Sequence, residues 1–177
     1  MAFNVALLTV SDSRTLTDDP SGDHLLNQLI DAGHRVLQRA ICPDDRYEIR
    51  AVVSRWIADS TLDAVITNGG TGLTGRDGTP EAVRPLLDKT IDGFGELFRV
   101  VSFQTIGTSA LQSRCLAGVA NGTFVFVLPG SLDAVSTAWR HLIQAQFDDS
   151  TRPCNLTQLR ARLKENPDQR IRRESAS

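Results

Sequence analysis

Residues 69–82 read GGTGLTGRDGTPEA. The residues before them, Asp63-Ala64-Val65-Ile66-Thr67-Asn68, form a short apolar run with β-branched side chains, the pattern of a buried strand. Pro80-Glu81 opens a helical pattern after the glycines. The order is therefore strand, glycine-rich loop, helix. Such a junction leaves bare backbone N–H groups and the positive end of a helix at the rim of a sheet, where a phosphate can sit. A loop that only had to turn would not need this run of glycines together with the ionisable pair Arg76-Asp77.

Working outward, residues 4–11 (NVALLTVS) are near-continuously apolar, as expected of a strand buried on both faces. Ser21 is the expected N-cap of a helix over 22–32, stopped by Gly33 at C′. A second strand is expected over 35–41. Asp45 is placed to cap a helix over 46–60 with an apolar stripe at Ile49, Val52, Val53, Trp56 and Ile57. The third strand is 63–68, followed by the glycine loop and a helix over 80–89. Helical spacing returns from Gly93 to Ile106. The stretch 107–122 reads as a short helix and then a strand near 115–120. Thr123–Leu128 is a strand broken by Pro129-Gly130, and Ser131 caps a last helix over 132–147.

Alternating strands and helices imply one α/β domain with a mostly parallel sheet and helices on both faces. Ligands of such sheets bind beyond the carboxyl ends of the strands. The loops at Ser11-Asp12, Pro43-Asp44, Gly69–Asp77 and Pro129-Gly130-Ser131 should share that rim. The chain is expected to divide into a domain over 1–156 and a polar C-terminal extension over 157–177, partly disordered, with the charged stretch 166–177 its extreme.

Composition narrows the partners. A net charge of −2 gives no electrostatic footprint for nucleic acid or an anionic membrane surface. No apolar run is long enough to span a bilayer, and Val5–Val10 is too short for a secretory signal. Cys42, Cys115 and Cys154 are odd in number and far apart, which argues against a disulfide framework or a cysteine zinc site and fits a reducing cytoplasm.

Two standard glycine fingerprints fit the loop badly. Gly70–Gly75 matches G-x-G-x-x-G, but that motif belongs after the first strand and runs directly into a helix, and Pro80 delays the helix here. Gly70–Asp77 nearly matches G-x-x-x-x-G-K-[ST], with Arg76 and Asp77 in place of the lysine and the hydroxyl. A turn with no ligand is the plain alternative; Thr71, Thr74, Arg76 and Asp77 at a ligand rim weigh against it. Asp44 and Asp77, from two strand-end loops, could supply the one or two carboxylates that Mg²⁺ takes beside water and phosphate oxygens. Asp44 could equally be a helix cap, and Asp77 an ion-pair partner of Arg76 or a cap for the helix at Pro80. Ser11-Asp12 could hold phosphate or ribose, or simply make a turn. Ser113-Arg114 could bind an anion or stand as a solvated pair. His24, His34 and His141 lack metal spacing.

Taken together, LLTVSDSRT (7–15), PDD (43–45), ITNGGTGLTGRDGTPEA (66–82), GFGELFR (93–99), SALQSRCLAG (109–118) and LPGS (128–131) resemble, in order, the molybdopterin-binding family. The likeness covers roughly residues 4–156. Arg152-Pro153-Cys154-Asn155 is similar to its B-type branch, close kin of the Mog-type molybdopterin adenylyltransferases. Gly78 stands where the transferase branch usually has valine, and the LPG turn lacks a preceding asparagine.

The resemblance implies a three-layer α/β/α fold, a homotrimer or homohexamer, and cytoplasmic work beside other cofactor-synthesis proteins. It implies that molybdopterin and Mg·ATP yield adenylyl-molybdopterin and pyrophosphate; a non-catalytic molybdopterin carrier is the alternative. Asp44 and Asp77 match the family's catalytic, Mg²⁺-organising aspartates. Ser11, Asp12, Gly69, Gly70, Thr71, Gly72, Pro129, Gly130 and Ser131 would hold the nucleotide. Thr74, Ser113 and Arg114 would face the pterin. Whether the metal served is molybdenum or tungsten is left open.

Overall fold

The computed structural model describes residues 1–165. Its centre is a six-stranded sheet: β1 (Asn4–Val10), β2 (Arg35–Cys42), β3 (Ala64–Asn68), β4 (Lys89–Thr90), β5 (Leu116–Ala120) and β6 (Thr123–Leu128), in the order β2-β1-β3-β6-β5-β4. The first four in that order are parallel; β5 runs back along β6, and β4 along β5.

Alternate side chains of each parallel strand serve opposite faces, so the near-continuous apolar runs split into two cores. Val5, Leu7, Ile66, Phe124 and Phe126 pack with α1 (Pro20–Asp31), α4 (Asp92–Ile106) and α5 (Leu132–Ala138). Ala6, Leu8, Val65, Val125 and Val127 pack with α2 (Arg46–Ala58) and α3 (Thr79–Val83). This is the expected three-layer α/β/α domain. The strand order reverses at β1/β3, because β1→β2 steps one way and β2→β3 steps back across β1. α1 and α2 therefore leave opposite faces, opening a crevice at the carboxyl edge.

Local chemistry accounts for most element ends. Asp45 caps α2, accepting from Tyr47 N and Glu48 N, and Ser131 caps α5. Gly33 follows α1 at φ +82°. The α1 start differs from expectation: Pro20 takes the first helical position, where its missing N–H is harmless, and Asp19 is the cap, accepting from Gly22 N. Ser21 instead donates to Gly130 O at 2.7 Å. The helix expected over 80–89 is shorter. It ends at Val83, tightens to a 3₁₀ turn over Arg84–Leu86, and yields to β4, a two-residue strand too short to leave an alternation. The β5–β6 connection is the hairpin turn Asn121-Gly122, both residues at positive φ. The last helix widens to a π turn over Trp139–Ile143, then closes with α6 (Gln144–Gln146).

No packing break falls at residue 156. Leu156 and Leu163 pack against the first core, α7 (Thr157–Arg160) follows, and the Arg160 guanidinium pairs with Asp63 and donates to Ala2 O. The tail expected over 166–177 lies outside the described residues. No helix among the described residues is long and apolar enough to cross a membrane.

Candidate active site

β1, β2, β3 and β6 end level at one edge: Thr9 pairs with Asn68, Val10 with Cys42, and Asn68 with Leu128. The four predicted loops therefore meet there. Gly69 N donates to Leu128 O and Ser11 N to Cys42 O, tying loop to loop. Close approach demands glycine at two positions. Gly69 sits at φ +99°, and a Cβ there would lie 2.2 Å from Val10 O; at Gly70, φ +62°, it would lie 2.3 Å from Thr79 Oγ1 and 2.7 Å from Asp44 Oδ2.

Three carboxylates frame this loop. Asp12 Oδ1 accepts from Asp44 N at 3.1 Å and from Arg76 Nη2 at 2.7 Å. Asp44 Oδ1 accepts from Gly78 N at 3.2 Å. Asp77 Oδ2 accepts from Thr74 N at 2.9 Å and Thr74 Oγ1 at 2.5 Å. The helix-cap and neighbouring ion-pair readings of Asp44 and Asp77 are thereby excluded. Asp45 is the helix cap, so Asp44 is free to face the loop. Arg76 pairs with Asp12, not with its neighbour, and Asp77 braces the loop; the cap of α3 is Gly78, with no side-chain bond.

Burial raises the Asp44 pKa above the ordinary carboxylate value; the Gly78 amide opposes the shift, and Asp77 and Asp12 add to it. The Thr74 hydroxyl holds the Asp77 pKa below the ordinary value. Two hard carboxylates are the donor set that suits Mg²⁺ with water and phosphate oxygens completing its shell. Among the described residues no cluster of three or more His, Cys, Asp or Glu could hold a metal by itself.

On the α3–α4 side the loop borders a cavity of about 640 Å³ lined by Pro80, Glu81, Arg84, Arg99, Leu111, Ser113 and Arg114, among others. Arg114 forms its wall toward the loop, donating from Nε to Thr71 O at 3.1 Å and gripping Glu81 with both Nη atoms at 2.6 and 3.1 Å. That grip holds the Glu81 pKa below its usual value. Arg99 donates to Ser113 O at 3.4 Å. Among the described residues neither Arg84 nor Arg99 has a carboxylate partner, whereas Arg14, Arg39, Arg76 and Arg114 each do. Cys115 lines the same cavity; burial pushes its thiol up to about 12.

A second cavity, of about 300 Å³, opens between the ends of β1, β3 and β6. Ser11, Gly69, Gly130 and Ser131 line it with Thr9, Asp19 and Asn68. The Ser11 hydroxyl accepts from Ser13 N and Arg14 N, and the Ser131 hydroxyl caps α5, so both also serve turns. Thr9, Asp19, Asn68, Arg84 and Arg99 escaped the sequence reading. Asn68 left a trace there, as an amide ending an otherwise apolar strand.

Residues 6–149 match the model of a family described as a probable molybdopterin binding domain. The chain belongs to that molybdopterin-binding family. It is 52% identical over 151 residues, 85% of this chain and 89% of the relative, to molybdenum cofactor biosynthesis protein B of Escherichia coli strain K12. A crystal structure of a molybdenum cofactor biosynthesis protein B superposes with a TM-score of 0.84 at 40% identity, covering 92% of this chain and 96% of that one. The tungsten cofactor synthesizing protein MoaB from Pyrococcus furiosus follows at 0.69 and 37%, covering 77% and 88%. In this member of the molybdopterin-binding family, the acidic loop edge and the arginine-lined cavity share the wall made by Arg114.

Proposed function

We propose that this protein acts in molybdenum cofactor biosynthesis, joining AMP to molybdopterin at the expense of ATP. The observation that carries this reading is the convergence of Asp12, Asp44 and Asp77 on a glycine loop beside an arginine-lined cavity. One side suits a Mg-nucleotide and the other an anionic pterin.

In that reading a terminal phosphate oxygen of molybdopterin attacks the α-phosphorus of ATP. The new P–O bond forms as the bond to the β-phosphate bridging oxygen breaks, and pyrophosphate leaves with the electron pair. Both reactants are anions, so the protein's task is positioning and charge neutralisation. Asp44 and Asp77 would hold Mg²⁺, which when bound supplies positive charge to the triphosphate. Gly69, Gly70, Thr71 and Gly72 present backbone amides without side chains in the way. Arg114 keeps the Thr71 and Glu81 side of the loop in register with Ser113. Arg84 and Arg99, which have no ion-pair partner among the described residues, would offer their guanidinium groups to the pterin's anionic end.

The assembly reading is a homotrimer or a hexamer built from it. Leu97, Val100, Phe103 and Ile106 leave an apolar stripe of α4 open to solvent, and exposed Leu111 continues it into the cavity rim. Sedimentation equilibrium checks this; a monomer at micromolar concentration would remove it.

The decisive assay is incubation with molybdopterin, ATP and Mg²⁺, followed by chromatography for adenylylated pterin and an enzymatic assay for pyrophosphate. Both products are expected in equal amount. Bound pterin with neither product would leave the carrier role in its place.

A further inference from the structure

α3 is five residues long, too short to hold its shape by its own hydrogen bonds. Its first half is tied to the site directly. Gly78 N, at its start, donates to Asp44 Oδ1 at 3.2 Å. Thr79 donates from Oγ1 to Gly69 O and from N to Gly70 O, each at 2.9 Å. Its second half carries Glu81, which holds Arg114, and Arg114 in turn donates to Thr71 O at 3.1 Å. The wall between the acidic loop edge and the arginine-lined cavity therefore follows the backbone of Glu81.

That backbone has a carbonyl to satisfy. Arg84 N takes Pro80 O. Pro85, four residues after Glu81, has no N–H, so Glu81 O lacks the donor that a continuing helix would supply. Arg50, in the second turn of α2, fills the gap. Its Nη2 donates to Glu81 O at 3.0 Å and its Nε to Ala82 O at 3.1 Å, so one planar fork spans two carbonyls at the end of α3. Arg50 is half-buried, lies over the Tyr47 ring at 5.8 Å and lines neither cavity of the site. Among the described residues it has no carboxylate partner, and its hydrogen bonds go to backbone alone. α2 thus grips α3 at both ends: Asp44, just before the α2 cap, at Gly78, and Arg50 at Glu81 and Ala82.

We infer that Arg50 is a positioning residue for the proposed transfer, acting through Glu81: by fixing the Glu81 backbone it keeps the carboxylate on Arg114 and Arg114 on the glycine loop, so that nucleotide and pterin meet at reacting distance. The inference rests on the adenylyl-transfer reading above. Arg50 lies outside both cavities, so its effect falls on the alignment of two bound substrates and not on the hold on either one. Misalignment of that kind costs rate more than affinity.

Steady-state kinetics of adenylylated-pterin formation by the full chain test this. Arg50→Ala is expected to lower kcat about tenfold, with KM for molybdopterin and for Mg·ATP each within about twofold of the parent. Arg50→Lys, which keeps a charged donor without the fork, should recover to within about threefold of the parent. In a Glu81→Gln background, Arg50→Ala should cost no more than about twofold further, because the path it acts through is already cut. An unchanged kcat, a KM rise as large as the kcat fall, or a full tenfold cost in the Glu81→Gln background each overturns the inference and leaves the transfer reading standing. If Arg50→Ala does not fold, hydrogen exchange of Arg50→Lys decides: the amides of Ala82, Val83 and Arg84 should exchange at least about threefold faster than in the parent while those of β3 do not change. Equal exchange at α3 overturns the inference. A parent that forms no adenylylated pterin removes the transfer reading and this inference together.

Discussion

The two sides of the Arg114 wall carry opposite charge problems. On the strand-end side three carboxylates crowd one glycine loop, and the nearby guanidinium of Arg76 is neutralised by Asp12. In the cavity between α3 and α4, neither Arg84 nor Arg99 is ion-paired among the described residues, although Asp92 and Glu96 line the adjoining cavity with them, while Arg114 is paired with Glu81. Like charges held together in a folded protein cost free energy, and a ligand of opposite charge recovers it. In the proposed reaction the acidic side would take a cation and what the cation carries, and the basic side an anion. A reaction that joins two anions needs both sides, next to each other.

The strongest way to break this contrast is at the carboxylates. Asp77→Asn and Asp44→Asn should each lower the rate of adenylylated-pterin formation by roughly 100-fold or more, leaving pterin affinity near its original value. Turnover within threefold of the parent in either variant would remove that carboxylate from the chemistry. Next in size is Gly70→Ala, whose Cβ has no room between Thr79 and Asp44; urea unfolding should show a loss of about 2 kcal/mol, with positive φ adding to the clash. An unchanged midpoint would mean that the loop relaxes freely.

On the basic side, Arg99→Ala should weaken pterin binding by about tenfold and leave Mg·ATP binding unaltered. A fall in both affinities would show that the two sides are not separate. The smallest effect concerns pH. Because the Asp44 pKa is raised on folding, the protein is stabilised below the ordinary carboxylate pKa, where Asp44 is protonated in both states. That contribution fades as pH rises through the folded value. Without a divalent cation, Asp44→Asn should therefore be slightly more stable than the parent at neutral pH, by a few tenths of a kcal/mol, and the difference should vanish in acid. Thermal scans at several pH values, with and without Mg²⁺, check the sign; added Mg²⁺ should stabilise the parent and not the variant.

The glycine loop and its strand were legible because they depend on neighbours in the chain: β-branched residues before, Pro80 after, glycines where side chains cannot fit. Asp45 and Ser131 were legible as caps for the same reason. β4 was not, since two residues carry no period, and the Asn121-Gly122 hairpin turn beside it went unread. Asp12 and Arg76 were both visible as site residues, yet their pairing spans 64 positions and follows from two loops meeting at one edge. The same holds for Arg114, whose bond to Thr71 spans 43.

By itself, then, the sequence determined the α/β alternation, the strand–glycine loop–helix junction and the caps Asp45 and Ser131, because propensity, glycine geometry and capping act over a few residues. Only the tertiary structure decided that Asp44 faces the loop while Asp45 caps, that Arg114 closes on Glu81, and that the Thr9 hydroxyl lies against Asp19 and Asn68. These depend on strand order and register, which bring distant segments within hydrogen-bonding reach and leave no local mark.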